Sequence, residues 1–137
     1  MAADLSLQWD GERLVESRKF RSRRYPSGGE KLRDDYLTGK DGKTDDYYLL
    51  MRVPSYFEDL ALQEVLGGIP LEWINKSVGP IVIANWDAWE TTIEALRPPG
   101  DTSIYENWQQ LVGKLNASPK VGWFRRVWRC MRNKPPG

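Results

Sequence analysis

Apolar positions change period several times along the chain, and each change predicts a boundary. Leu5, Leu7 and Trp9 alternate with polar residues, Asp10-Gly11 follows, and a second run extends from Arg13 to Phe20. Alternation fits a half-buried strand, and Asp-Gly between two runs favours the positive φ angles of a type I′ turn. The pattern predicts a β-hairpin with strands over 4–9 and 12–20. From Tyr25 to Asp46 the chain turns to Gly, Pro, Ser, Lys and Asp, with Tyr25, Leu32, Tyr36 and Leu37 as its few apolar anchors. This predicts a long polar loop, with a short helix near Glu30–Leu37.

Tyr47–Val53 is a compact apolar run closed by Pro54, which fits a buried strand. Ser55 and Glu58 have capping-box spacing, so a helix is expected from there to Leu66, stopped by Gly67-Gly68. Residues 69–75 and 81–84 read as two further short strands. Asn85 is placed to cap a helix that buries Trp86, Trp89, Ile93 and Leu96 and ends at Pro98-Pro99-Gly100. Ser103 and Glu106 form a second capping box, opening a helix that carries Ile104, Trp108, Leu111 and Leu115.

Only Ala117 separates that helix from Ser118-Pro119, the expected start of a last one. At 100° per residue, Val121, Trp123, Phe124, Val127, Trp128, Cys130 and Met131 share one half of it, and Arg125, Arg126, Arg129 and Arg132 the other. The two helices are expected to form a tight helical hairpin in which Trp108, Leu111 and Leu115 bury the aromatic half.

The expected fold is therefore α+β: an N-terminal β-hairpin and a short mixed sheet packed with about four helices, ending in a C-terminal helical hairpin. It is one domain over 1–137. Its parts are the hairpin (1–24), the polar loop (25–46), an α/β body (47–117) and the basic amphipathic helix (118–134).

Charge sharpens this picture. The net charge of the 137 residues is +1, yet it is unevenly spread. Residues 1–46 carry ten acidic and ten basic side chains, residues 47–119 nine acidic and four basic, and residues 120–137 six basic and none acidic. Five of the seven residues from Arg18 to Arg24 are basic. Such a run reads as a solvated edge or as a surface for polyanions. Seven Trp, six Tyr and three Phe favour a protein with surfaces to dock.

Candidate chemistry is sparse. The chain has no histidine, which removes the commonest general base and metal ligand. Its single cysteine, Cys130, allows no internal disulfide or cysteine-based zinc site and reads as a packing thiol. Gly42-Lys43-Thr44 resembles the end of a phosphate-binding loop, but position 37 is Leu where that motif needs Gly. Asp41, Asp45 and Asp46 lack the alternating ligands of a calcium loop. Asn85-Trp86-Asp87-Ala88 resembles, over four residues, the inhibitory helix of barstar-type proteins; the match stops at Trp89, and no family assignment follows.

These observations predict no catalytic residue, metal, cofactor or small-molecule substrate. The expected function is a non-catalytic protein–protein interaction or assembly component of a larger complex, with a viral structural or accessory protein as one form of it. Its partner is another protein or a second copy, bound through Trp123, Arg125, Arg126, Trp128, Arg129 and Arg132. The alternative is a nucleic-acid binder using Arg18, Lys19, Arg21, Arg23 and Arg24 with the C-terminal arginines; third comes a carboxylate-dependent enzyme acting through residues 34–46. A membrane surface is disfavoured as a partner. No apolar run approaches a membrane span and the N-terminus lacks a secretory pattern, so a cytoplasmic or virion-internal location is expected.

Overall fold

The computed structural model describes residues 12–117. They form six helices: α1 (Glu12–Arg24), α2 (Gly29–Gly42), α3 (Asp45–Val65), α4 (Leu71–Ser77), α5 (Gly79–Leu96) and α6 (Glu106–Ala117). There is no strand among the described residues. The α+β expectation, with its mixed sheet, is therefore corrected to an all-helical fold. The second hairpin strand is α1, and most of the polar loop is α2. The strands expected over 47–53, 69–75 and 81–84 fall in α3, in the approach to and body of α4, and in α5. The first hairpin strand, over 4–9, and the C-terminal helix lie outside the described residues.

Each correction has a local cause. Pro54 reads as a terminator because proline lacks an N–H and crowds the preceding turn, yet α3 runs through it. Burial outweighs that cost: Leu50, Val53, Pro54, Phe57, Leu60 and Ala61 form one continuous inner face at helical spacing. The true start of α3 is Thr44, whose hydroxyl accepts the Tyr47 amide at 3.2 Å, with Asp45 and Asp46 in the electropositive first turn. Asn85 is no cap either. It sits inside α5 and its amide donates to the Ile81 carbonyl at 2.9 Å. Pro80 lies in the first turn of α5, where its missing N–H costs nothing.

Gly42-Lys43-Thr44 proves to be a helix C-terminus. Lys43 takes a left-handed conformation (φ 51°), and the Thr44 amide returns to the Gly39 carbonyl at 3.0 Å. The end of α3 follows expectation, with Gly67 at φ 81° and the Gly68 amide on the Gln63 carbonyl at 2.9 Å.

Helix α3 is the central support. It packs against α1, α2 and α6, while α5 packs against α2, α4 and α6. Aromatic residues join these layers. Trp108 of α6 stacks on Phe57 of α3 at 4.8 Å between ring centres and meets Trp86 of α5 edge-on at 5.1 Å. Its indole N–H donates to the Val82 carbonyl at 3.3 Å. Tyr36 of α2 meets Trp89 of α5 edge-on at 5.3 Å and lies 5.0 Å from Tyr47 of α3. Burial pushes the Tyr36 phenol far above its ordinary pKa, with the Tyr105 and Tyr47 hydroxyls adding to the shift.

Glu58 caps a helix, but a different one from the helix its spacing predicts. Its carboxylate accepts the Asn107 amide at 3.2 Å and the Trp108 amide at 2.9 Å, together with the Asn107 side chain at 2.9 Å. A residue of α3 thus closes the N-terminus of α6, where a negative charge meets the helix dipole.

Candidate functional site

Helix α1 presents its charges around an open cleft. Leu14 and Ser17 are buried on its inner face, and Arg18 and Arg21 continue that face one turn later. Arg18, Lys19, Arg21, Ser22 and Arg23, with Asn85 from α5, line a cleft of about 310 Å³. No carboxylate is among these lining residues. Four of the five basic residues expected to meet a polyanion are thereby gathered round one hollow. Arg24, the fifth, is exposed at the end of α1 without lining it.

The cations do not all have the same role. Arg21 donates from Nη1 to the Tyr25 carbonyl at 3.1 Å and the Pro26 carbonyl at 3.4 Å, tying the end of α1 to the turn that leads into α2. Its Nε is buried without a hydrogen-bond partner, and burial lowers its pKa from the usual arginine value. Arg21 is thus partly structural. Arg21, Arg23 and Arg24 also fall in the last turn of α1, where cations complement the negative end of the helix dipole. Lys19 and Arg23 are exposed and line the cleft, so they are available to an incoming anion.

The turn after α1 fixes this arrangement. Tyr25 is buried, and its hydroxyl donates to Asp35 of α2 at 2.7 Å. The Gly28 amide then donates to the Tyr25 carbonyl at 3.0 Å. Gly28 has φ 66° and ψ −117°, and a Cβ placed there would lie 2.0 Å from the Ala88 carbonyl oxygen of α5. Glycine allows the chain to pass against α5 at this point.

The carboxylates proposed for an enzyme are not assembled. Asp34 pairs with Arg33 at 2.9 Å, Asp35 holds Tyr25, and Asp45 and Asp46 open α3. Among the described residues, no group of three or more His, Cys, Asp or Glu side chains is placed to hold a metal ion. No described helix is long and apolar enough to cross a membrane. Trp123, Arg125, Arg126, Trp128, Arg129 and Arg132 lie outside the described residues.

A second surface escaped the sequence reading. Leu62, Val65 and Leu66, at the end of α3, and Trp73 of α4 are large apolar side chains left exposed. Their signal was present, since Leu62 and Leu66 recur at four residues on the face opposite Phe57 and Leu60. Comparison with family models, curated proteins and solved structures finds no match.

Proposed function

We propose that this protein is a non-catalytic interaction component of a larger complex, and that the α1 cleft docks a short acidic segment of a protein partner. The supporting observation is the hollow itself: Arg18, Lys19, Arg21 and Arg23 surround it with no carboxylate among its lining residues. A cluster of one sign attracts a complementary charge and steers its approach. Two features favour a short acidic peptide over a nucleic acid. The lining contains no aromatic side chain on which a base could stack. Residues 47–119 carry a net charge of −5, nine acidic against four basic, which repels a long polyanion lying across the body.

The test titrates the full chain with a fluorescent poly-glutamate peptide and, separately, with a single-stranded oligonucleotide of equal charge. The peptide binds more tightly, and Lys19→Glu with Arg23→Glu weakens it by about tenfold or more, as expected for loss of two charge-assisted contacts. Tighter oligonucleotide binding, with an affinity falling steeply in salt, would replace this reading with the nucleic-acid one. Failure of both probes to bind at low ionic strength would refute a polyanion site of either kind.

A further inference from the structure

The cations of the α1 cleft outnumber what one carboxylate can answer, and the hollow is small. Its volume of about 310 Å³ stands at the lower end of ligand pockets, roughly 300–1,000 Å³. It therefore takes one head group and its stem rather than several acidic side chains at once. Arg18, Lys19, Arg21 and Arg23 all line it. Three of these are arginines, whose planar guanidinium offers paired N–H donors to an oxyanion where lysine offers a point charge. Arg21 is held ready for such a ligand. Its Nη1 donates to the Tyr25 and Pro26 carbonyls at 3.1 and 3.4 Å, which fixes the group beforehand and lowers the ordering cost of binding. Both acceptors are neutral, and Arg21 takes part in no ion pair among the described residues. Its half-buried charge thus receives no counter-charge from the fold. Asn85 of α5, buried and held by its amide on the Ile81 carbonyl at 2.9 Å, and the exposed Ser22 complete the lining with neutral hydrogen-bonding groups.

We propose, resting on the α1 cleft as the docking site of an acidic segment, that the residue seated in it is a phosphorylated serine or threonine of the partner. Phosphorylation of that partner then controls its docking. A phosphate monoester concentrates about −1.5 to −2 charges and three acceptor oxygens on one head group at neutral pH. A carboxylate brings one charge and two oxygens. The phosphate therefore meets several guanidinium groups at once from a hollow that has room for a single residue. The lining is polar throughout, so a short aliphatic stem suits it better than the ring of a phosphotyrosine, which would find no apolar wall to cover it.

Fluorescence anisotropy on the full chain tests this with three labelled peptides that differ only at the centre: phosphoserine, unmodified serine, and a Glu-Glu pair matching the charge of the phosphate. The phosphoserine peptide binds about tenfold or more tighter than the Glu-Glu peptide, and the unmodified one binds weakest. Arg21→Lys keeps the charge but removes the guanidinium fork. It costs the phosphopeptide about fivefold, while the Glu-Glu peptide changes by less than about twofold. Arg21 also ties down the end of α1, so Arg23→Lys, at an exposed position, is read beside it and moves the two affinities the same way. Equal binding of the phosphoserine and Glu-Glu peptides would overturn the phosphate assignment and leave the cleft a site for acidic peptides. Absence of binding by all three at low ionic strength would overturn both. Tighter binding to phosphatidylcholine vesicles carrying phosphatidic acid than to the phosphopeptide would move the ligand to a lipid head group and overturn the proposal. Displacement of the phosphopeptide by an equal concentration of inorganic phosphate would move it to a free ion, with the same result.

Discussion

Gly28→Ala tests the packing of α2 on α5 more directly than any other single change. Two costs combine at this position. The first is conformational: φ 66° with ψ −117° lies outside the regions open to a residue with a Cβ, a strain of about 1–3 kcal/mol. The second is steric. The new methyl would lie 2.0 Å from the Ala88 oxygen, 2.6 Å from its carbonyl carbon and 2.8 Å from its Cα. Those atoms belong to helix backbone and cannot rotate away, so α2 must retreat from α5, at about 1–3 kcal/mol for overpacking. The sum, roughly 2–6 kcal/mol, is a large fraction of a domain's usual stability of about 5–15 kcal/mol. Gly29→Ala is the matched control. Gly29 has the same φ of 66° but nothing within 4 Å of an added Cβ, so only a left-handed penalty of about 1–2 kcal/mol remains. Both variants stiffen the unfolded chain equally, and that contribution cancels in the difference. Urea unfolding at constant m separates them, with Gly28→Ala the less stable by about 1–3 kcal/mol, or roughly 3–12 °C in Tm. Equal losses for the two variants would show that the approach of Gly28 to Ala88 does not hold in solution.

Other residues give further checks. Glu58→Ala removes the acceptor for two backbone amides of α6 and should cost about 2 kcal/mol in urea unfolding, with Glu58→Gln recovering part of it. Lys43→Gly relieves a left-handed lysine at the end of α2 and should stabilise the protein by about 1 kcal/mol, seen as a higher urea midpoint. Burial raises the phenol pKa values of both Tyr36 and Tyr105. The folded state therefore holds these protons more tightly than the unfolded one, whose phenols titrate near pH ~10. Their contribution to stability is complete below that pH and is lost as pH rises above it. Tyrosinate absorbance should show these groups ionising together with alkaline unfolding, and Tyr36→Phe should make the alkaline loss of stability shallower.

The apolar positions, several helix ends and the clustering of charge are legible in the local sequence. The inner faces carrying Trp86, Trp89 and Ile93, and Trp108, Leu111 and Leu115, were legible because their spacing is helical and uninterrupted. Gly67 was legible as a helix end for the same kind of local reason. So was the basic run of α1, though not its geometry. Secondary structure failed where local signals competed. YYLLMRV before Pro54 and IVIA before Asn85 are short apolar runs whose period cannot separate a buried strand from part of a buried helix. Their β-branched and aromatic content tipped the reading toward strand.

Packing settles these runs as helix. Helix α3 passes through Pro54 because six side chains on that face enter one core, and burial on that scale exceeds the loss of one backbone hydrogen bond. The capping of α6 by Glu58 depends on a contact between positions about fifty residues apart, which no local spacing encodes. The cleft is likewise a product of packing: Asn85 of α5 joins the arginines of α1 only after α3 and α5 have set the body of the fold.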